Sequence, residues 1–168
     1  MPLPTTLDTS RAVLFLGSGF TSGALAISGT SPPVGNGLRD ILADKLGVPR
    51  EKYDLQMLGN AFTRRPDLKL FDLFRDLFTI SSLSSDQSYI LTRKWLRIYT
   101  TNYDNAAEAG IFQSGLEPSS FNYDQPKPVK VPRNSIIHLH GRISDASEEN
   151  ILDQLILTQK SYIRQRFG

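Results

Sequence analysis

Apolar positions along the chain follow two periodicities, and their alternation predicts the architecture. Residues 12–16 (AVLFL) are a continuous apolar run closed by Gly17, the signature of a strand buried in a parallel sheet. GSGFTSGALAIS, 17–28, begins as a Gly-rich turn and passes to small helix formers, so a strand–loop–helix opening is expected. SPPVGNG, 31–37, is a loop by composition. Leu38, Ile41, Leu42 and Leu46 then recur at helical spacing, and Gly47 with Pro49 stops the helix. Helices are predicted over 51–62 and 67–78. The second carries Leu70, Phe71, Leu73, Phe74, Leu77 and Phe78, a wide apolar face read as core or subunit interface. Serines and Asp86 at 81–86 predict a turn and N-cap, with a helix through Trp95.

LRIYTT (96–101) and SIIHL (135–139) are two further strands. Between them lie an Ala-rich helix after Asp104 and a Pro-rich loop over 117–134, with a short strand at 120–123. LILT (155–158) is a fourth main strand candidate. SYIRQRFG reads as the start of a helix, so the C-terminal part of a larger domain is expected beyond it. Strands alternating with helices give an α/β fold with a mainly parallel sheet flanked by helices. Residues 1–168 are read as one domain, with a helical insertion at about 38–95.

Composition narrows the function classes. At 39% hydrophobic and 21% charged residues the chain is globular. Nineteen basic against 17 acidic residues leave no electrostatic case for binding nucleic acid. The absence of cysteine removes disulfides, thiol nucleophiles and Cys-based zinc sites, and suits the cytosol. No apolar run reaches the roughly 18–20 residues of a membrane span. The start, MPLPTTLDTSR, lacks the basic n-region and apolar core of a signal peptide.

In parallel sheets ligands bind at the carboxyl ends of strands, and three polar clusters lie at predicted strand ends. Gly17 and Gly19 would let the backbone approach a pyrophosphate, with amides after Phe20 facing the anion. The strict G-x-G-x-x-G fingerprint is not met, because Ser22 holds the sixth position and Gly23 comes one late. Taken alone, this loop reads equally well as a plain strand–helix turn. Asn102 and Asp104 can orient a sugar hydroxyl, an amide or a water, or simply cap the helix that follows. His138 and His140, two apart in a strand, share a face. Two ligands without a Cys or a third His make a poor zinc site. His138 reads as a structural histidine, and His140, before Gly141, as either structural or acid–base. Ser18 and Ser22 lack the G-x-S-x-G elbow of a hydrolase nucleophile.

Taken together, the clusters resemble the SIR2-like family, the zinc-free branch of the sirtuin superfamily found in bacterial antiphage defence proteins. LFLGSGFTS (14–22) is similar to its GAGxS phosphate loop, with Thr21 at the Ser position. TTNYD (100–104) resembles the TQNID stretch, HLHG (138–141) the catalytic His-Gly, and LILTQKSY (155–162) the strand and T-x-x-x-Y segment that often follows. PPVGNGL (32–38) stands where sirtuins carry a GIPDFR-type segment, without its Asp, Phe and Arg.

The resemblance implies a Rossmann-like sheet and cleavage of the nicotinamide–ribose bond of NAD+, with NAD+ as substrate and no zinc. It implies that Gly17, Ser18, Gly19, Phe20 and Thr21 hold the pyrophosphate. Asn102 would position water and the ribose hydroxyls, Asp104 would contact the nicotinamide amide, and His140 would be the general base. It further implies an antiviral defence effector that depletes NAD+, acting as a cytoplasmic homo-oligomer under a C-terminal or separate sensor domain. The competing readings are a non-catalytic module that binds NAD or ADP-ribose or mediates assembly, and a zinc-free deacylase or ADP-ribosyltransferase.

Overall fold

The apolar run after Ala12 becomes β1 (Val13–Leu16) in the computed structural model, which describes residues 8–62, 64–126 and 128–157. No α-helix follows it. The chain makes a 3-10 turn, Ser18–Thr21, and then a two-residue strand, β2 (Leu25–Ala26). Gly23 and Gly29 break the expected helix. Both hold left-handed backbone, φ 88° and 80°, which glycine adopts without the Cβ penalty of other residues.

α1 (Gly35–Leu46) buries Leu38, Leu42 and Ala43 and ends where Gly47, at φ 69°, returns its amide to Ala43 and Asp44. α2 (Leu55–Phe62) starts later than expected, because the Asp54 carboxylate accepts the Met57 amide at 2.7 Å and so caps it. α3 (Leu70–Phe78) places its aromatic stripe in the core: Phe74 and Phe78 are buried and stack with Tyr103 at centroid distances of 6.1 and 5.6 Å.

β3 (Ile80–Ser82) pairs antiparallel with β2. It escaped the sequence reading because three residues, ISS, are too few to show alternation. α4 (Ser85–Leu91) opens with a capping box between Ser84 and Gln87 and stops short of Trp95. β4 (Arg97–Thr100), α5 (Ala106–Gln113), β5 (Ser120–Asn122) and β6 (Ser135–His138) lie close to their expected places.

A single helical turn, α6 (Ile151–Gln154), follows. Over 155–157 the expected fourth strand is not formed. These three residues are buried, Leu155 and Leu157 inside the helical core, and a fully buried apolar run does not by itself distinguish strand from packed loop. Residue 158, the T-x-x-x-Y segment and the helix start after it lie outside the described residues.

The main sheet is parallel throughout, in the order β1-β4-β6-β5. One face, through Leu16, Ile98 and Ile136, packs on Ala107 and Ile111 of α5 and on Leu91 and Trp95. On the opposite side of β1, Val13 and Phe15 are exposed. A second core joins α1, α2 and α3 to Tyr103, Ile143, Ile151, Leu155 and Leu157.

Candidate active site

Leu16, Thr100, His138 and Asn122 stand in one register row, so the strands end level and the segments after them emerge together. Between these segments and the helical layer lies a cleft of about 180 Å³. Its sheet side is formed by Ser18, Thr21, Thr101, Asn102, Tyr103, Asp104 and His140. Pro32, Pro33, Gly35 and Leu38 close it at the start of α1, and Leu55 and Phe78 complete the wall. The three clusters singled out in the sequence thus meet around one cavity, and so does the 32–38 segment.

Gly17 and Gly19 are not glycines for conformational or packing reasons. Neither is in the left-handed region, and a Cβ at either would meet nothing within 4 Å. The first amides of a helical turn have no partner within it, which leaves those at the start of Ser18–Thr21 for other acceptors. Phe20 is partly buried and packs against the sheet core and against the small cluster of Ala24, Ile80 and Ala106, while its carbonyl accepts from Gln87 Nε2 at 2.6 Å.

Asn102 ties two of the loops together. Its Nδ2 donates to the Gly17 carbonyl at 3.2 Å and its backbone N–H to Thr100 Oγ1 at 3.0 Å. Its Oδ1 is buried and has no hydrogen-bond partner among the described residues. An acceptor buried in that way costs about 1–3 kcal/mol, which a ligand donor would recover.

Asp104 accepts the Ala106 amide at 3.1 Å and so caps the first turn of α5. Asn105, next to that helix, spends its Oδ1 on the Ile80 amide at 2.7 Å instead. Burial pushes the Asp104 carboxyl up to about 6, and the Glu108 charge adds to the rise. The Ala106 amide, His138 and the Thr21 hydroxyl oppose it.

His140 is half-buried. Burial holds its pKa below the ordinary histidine value, against the hydrogen bond it donates to the Thr101 carbonyl. In the neutral ring the second nitrogen is then the basic one. Gly141 holds φ 78°, and a Cβ there would fall 1.8 Å from the Gln154 carbonyl oxygen. The His140 carbonyl accepts from the Ile156 amide at 3.1 Å, and Tyr103 Oη donates to the Ile156 carbonyl at 2.8 Å. The segment after α6 is therefore stitched onto the strand-end loops.

His138 lies beneath the cleft, fully buried, with Nε2 2.8 Å from Glu108 Oε1 and Nδ1 3.4 Å from the Asn102 carbonyl oxygen. Glu108 also accepts from Ser120 Oγ at 2.8 Å and faces Arg142 at 3.5 Å, and Arg142 pairs with Asp145 at 2.8 Å. Sequence reasoning overlooked Glu108 and Arg142. No local signal marks the first, a lone glutamate in an Ala-rich helix that Asp104 precedes.

Among the described residues no group of three or more His, Cys, Asp or Glu is placed to hold a metal ion. None of the described helices is long and apolar enough to cross a membrane.

A family model described as a SIR2-like domain matches residues 96–167. The match begins just before β4 and takes in Asn102, Asp104, Glu108, His138 and His140, while the glycine turn and α1 precede it. Over that span the resemblance read from the motifs is borne out, and it supports an NAD-related activity. No curated protein matches the chain.

Proposed function

We propose, starting from a chain that is SIR2-like over residues 96–167, that this protein is an NAD+ glycohydrolase. The bond from ribose C1′ to the nicotinamide nitrogen breaks, water supplies the oxygen that replaces it, and nicotinamide, ADP-ribose and a proton leave. The observation that carries the reading is the buried, unpartnered Oδ1 of Asn102 in the cleft wall. It is an acceptor held ready for a ribose hydroxyl or the attacking water.

The cleft, at about 180 Å³, suits the nicotinamide–ribose portion, with the pyrophosphate over Gly17, Ser18, Gly19, Phe20 and Thr21. The open space beside both glycines admits a close approach. Asp104 receives the nicotinamide amide. His140, kept neutral by burial, takes the proton from water or through a ribose hydroxyl as oxocarbenium character develops at C1′.

In this reading residues 1–168 act as one NAD-binding unit, with 38–95 as its helical insertion. The physiological setting is NAD+ depletion in defence, by a cytoplasmic homo-oligomer under a sensor domain.

The test is NAD+ consumption with products resolved by chromatography, alongside Asn102→Ala and His140→Ala. Nicotinamide plus ADP-ribose, lost in both variants while circular dichroism is unchanged, is the expected result. Wild-type turnover in His140→Ala removes its role as base. Binding without turnover favours a sensing module, and label transferred to protein favours a transferase.

A further inference from the structure

We propose that Glu108 and His138 are a proton-sharing pair that positions Asn102 from beneath the cleft. His138 is fully buried with an oxygen at each ring nitrogen: Glu108 Oε1 at Nε2, 2.8 Å, and the Asn102 carbonyl at Nδ1, 3.4 Å. A neutral imidazole has one N–H and one lone pair. With Glu108 ionised, a neutral ring would turn its lone pair on one of the two oxygens. Both contacts attract only if the pair holds one further proton. That proton makes either an imidazolium beside a carboxylate or an Nδ1–H ring beside a carboxylic acid, and in both forms the pair is net neutral.

The surroundings select the first form. Arg142 faces Glu108 Oε1 at 3.5 Å and Ser120 donates to it at 2.8 Å, both favouring the carboxylate. The other groups facing the pair are Asp104, whose charge couples to both members, and Asp145, which is engaged by Arg142 at 2.8 Å and by Asn122 Nδ2 at 2.8 Å. Burial, the largest influence, pushes the Glu108 carboxyl up, but the hydrogen bond and charge of His138, the Ser120 hydroxyl and a backbone amide together hold it below its ordinary value.

The consequence falls on Asn102. Its side-chain amide is tied to Gly17, its backbone N–H to Thr100 and its carbonyl to His138. The third tether fixes the peptide plane after Asn102, and so the backbone that carries the side chain whose Nδ2 is tied to Gly17 and whose Oδ1 is unpartnered among the described residues. His138 and Glu108 are positioning residues that touch no substrate. Only their catalytic readout rests on the glycohydrolase reading.

The experiment is ¹⁵N spectroscopy of the histidine rings in the whole chain, with Glu108→Gln as the isosteric variant. In the wild type at neutral pH both His138 nitrogens are expected to carry protons, and Glu108→Gln to leave a single tautomer. In that variant kcat for NAD+ should fall about tenfold or more while KM moves less than about threefold, the mark of lost positioning rather than lost binding. A single neutral tautomer in the wild type overturns the pair. An unchanged kcat beside an altered ring overturns the positioning role.

If the wild type does not turn over NAD+, the proposed activity fails, yet the pair is still judged. The Asn102 carbonyl ¹³C shift must move in Glu108→Gln, and an unmoved shift overturns positioning. Should that variant not fold, Glu108→Asp replaces it by drawing the carboxylate back from Nε2: the ring nitrogens and the Asn102 carbonyl shift must move together, and an unmoved carbonyl overturns positioning.

Discussion

Asp104 is held where ionising it costs stability. Its carboxyl is pushed up to about 6 by burial, so between about pH 4 and 6 the unfolded chain loses this proton while the folded chain keeps it. Its stabilising contribution is complete below that window and is lost as pH rises through about 6, leaving the folded state about 3 kcal/mol worse at neutral pH. Glu108 has the opposite sign: its lowered value contributes stability above the ordinary range, lost as pH falls. Asp104→Asn keeps an oxygen for the Ala106 amide and removes the charge. The variant should melt higher at neutral pH, by about 2–4 °C for each kcal/mol recovered, while losing NAD+ cleavage. A lower melting temperature at neutral pH would show that the folded state stabilises the charge.

His140 gives a second prediction. With its pKa below the ordinary value, kcat/KM should be level around neutrality and fall only on acidification, with a further limb near pH 6 if Asp104 must be ionised. That Asn102, Asp104 and His140 would share one cleft was legible because each follows a short apolar strand, where ligands of parallel sheets bind. Glu108 was not, because a glutamate in an Ala-rich helix looks like any solvated charge until His138 is found against it.

At the level of elements, two glycines decide whether the layers meet. Gly110 lets α5 lie on α4: a Cβ there would come within 2.5 Å of Leu91 Cδ1 and 2.6 Å of its Cβ. Gly110→Ala should therefore destabilise by about 1–3 kcal/mol in urea unfolding, although alanine is the better helix former. Gly141 gives the His-Gly pair a backbone reason, since the Gln154 carbonyl occupies the place of its side chain. Gly141→Ala should displace residues 154–156 and carry His140 with them, lowering NAD+ turnover more than stability.

The periodic helices and the longer strands were readable in advance. The failures share one cause, that tertiary packing overrode local pattern. Glycines at φ 88° and 80° cut the opening helix, a three-residue strand showed no alternation, and the buried 155–157 run packed as loop.

Across the whole molecule, the cleft draws on parts of the chain that are distant in sequence, and neither contribution makes it alone. The glycine turn and α1 supply one side, and the loops after β4 and β6 supply the other. NAD+ or ADP-ribose should stabilise the wild type by about 2.7 kcal/mol at a hundredfold excess over Kd and raise its melting temperature accordingly. Asn102→Ala should lose most of that rise. No shift with either ligand would mean the cleft does not hold the dinucleotide.

The tie between Gly17 and Asn102, 85 positions apart, sets a clock as well as a geometry. During synthesis at about 5–20 residues per second, β1 leaves the ribosome roughly 4–17 s before β4 exists to pair with it. Through that interval the VLFL run has no sheet to join. A chain cut short before Arg97 would never acquire one. Such products should aggregate or be degraded rather than persist, and a pulse-labelled cell would contain the complete site or none of it.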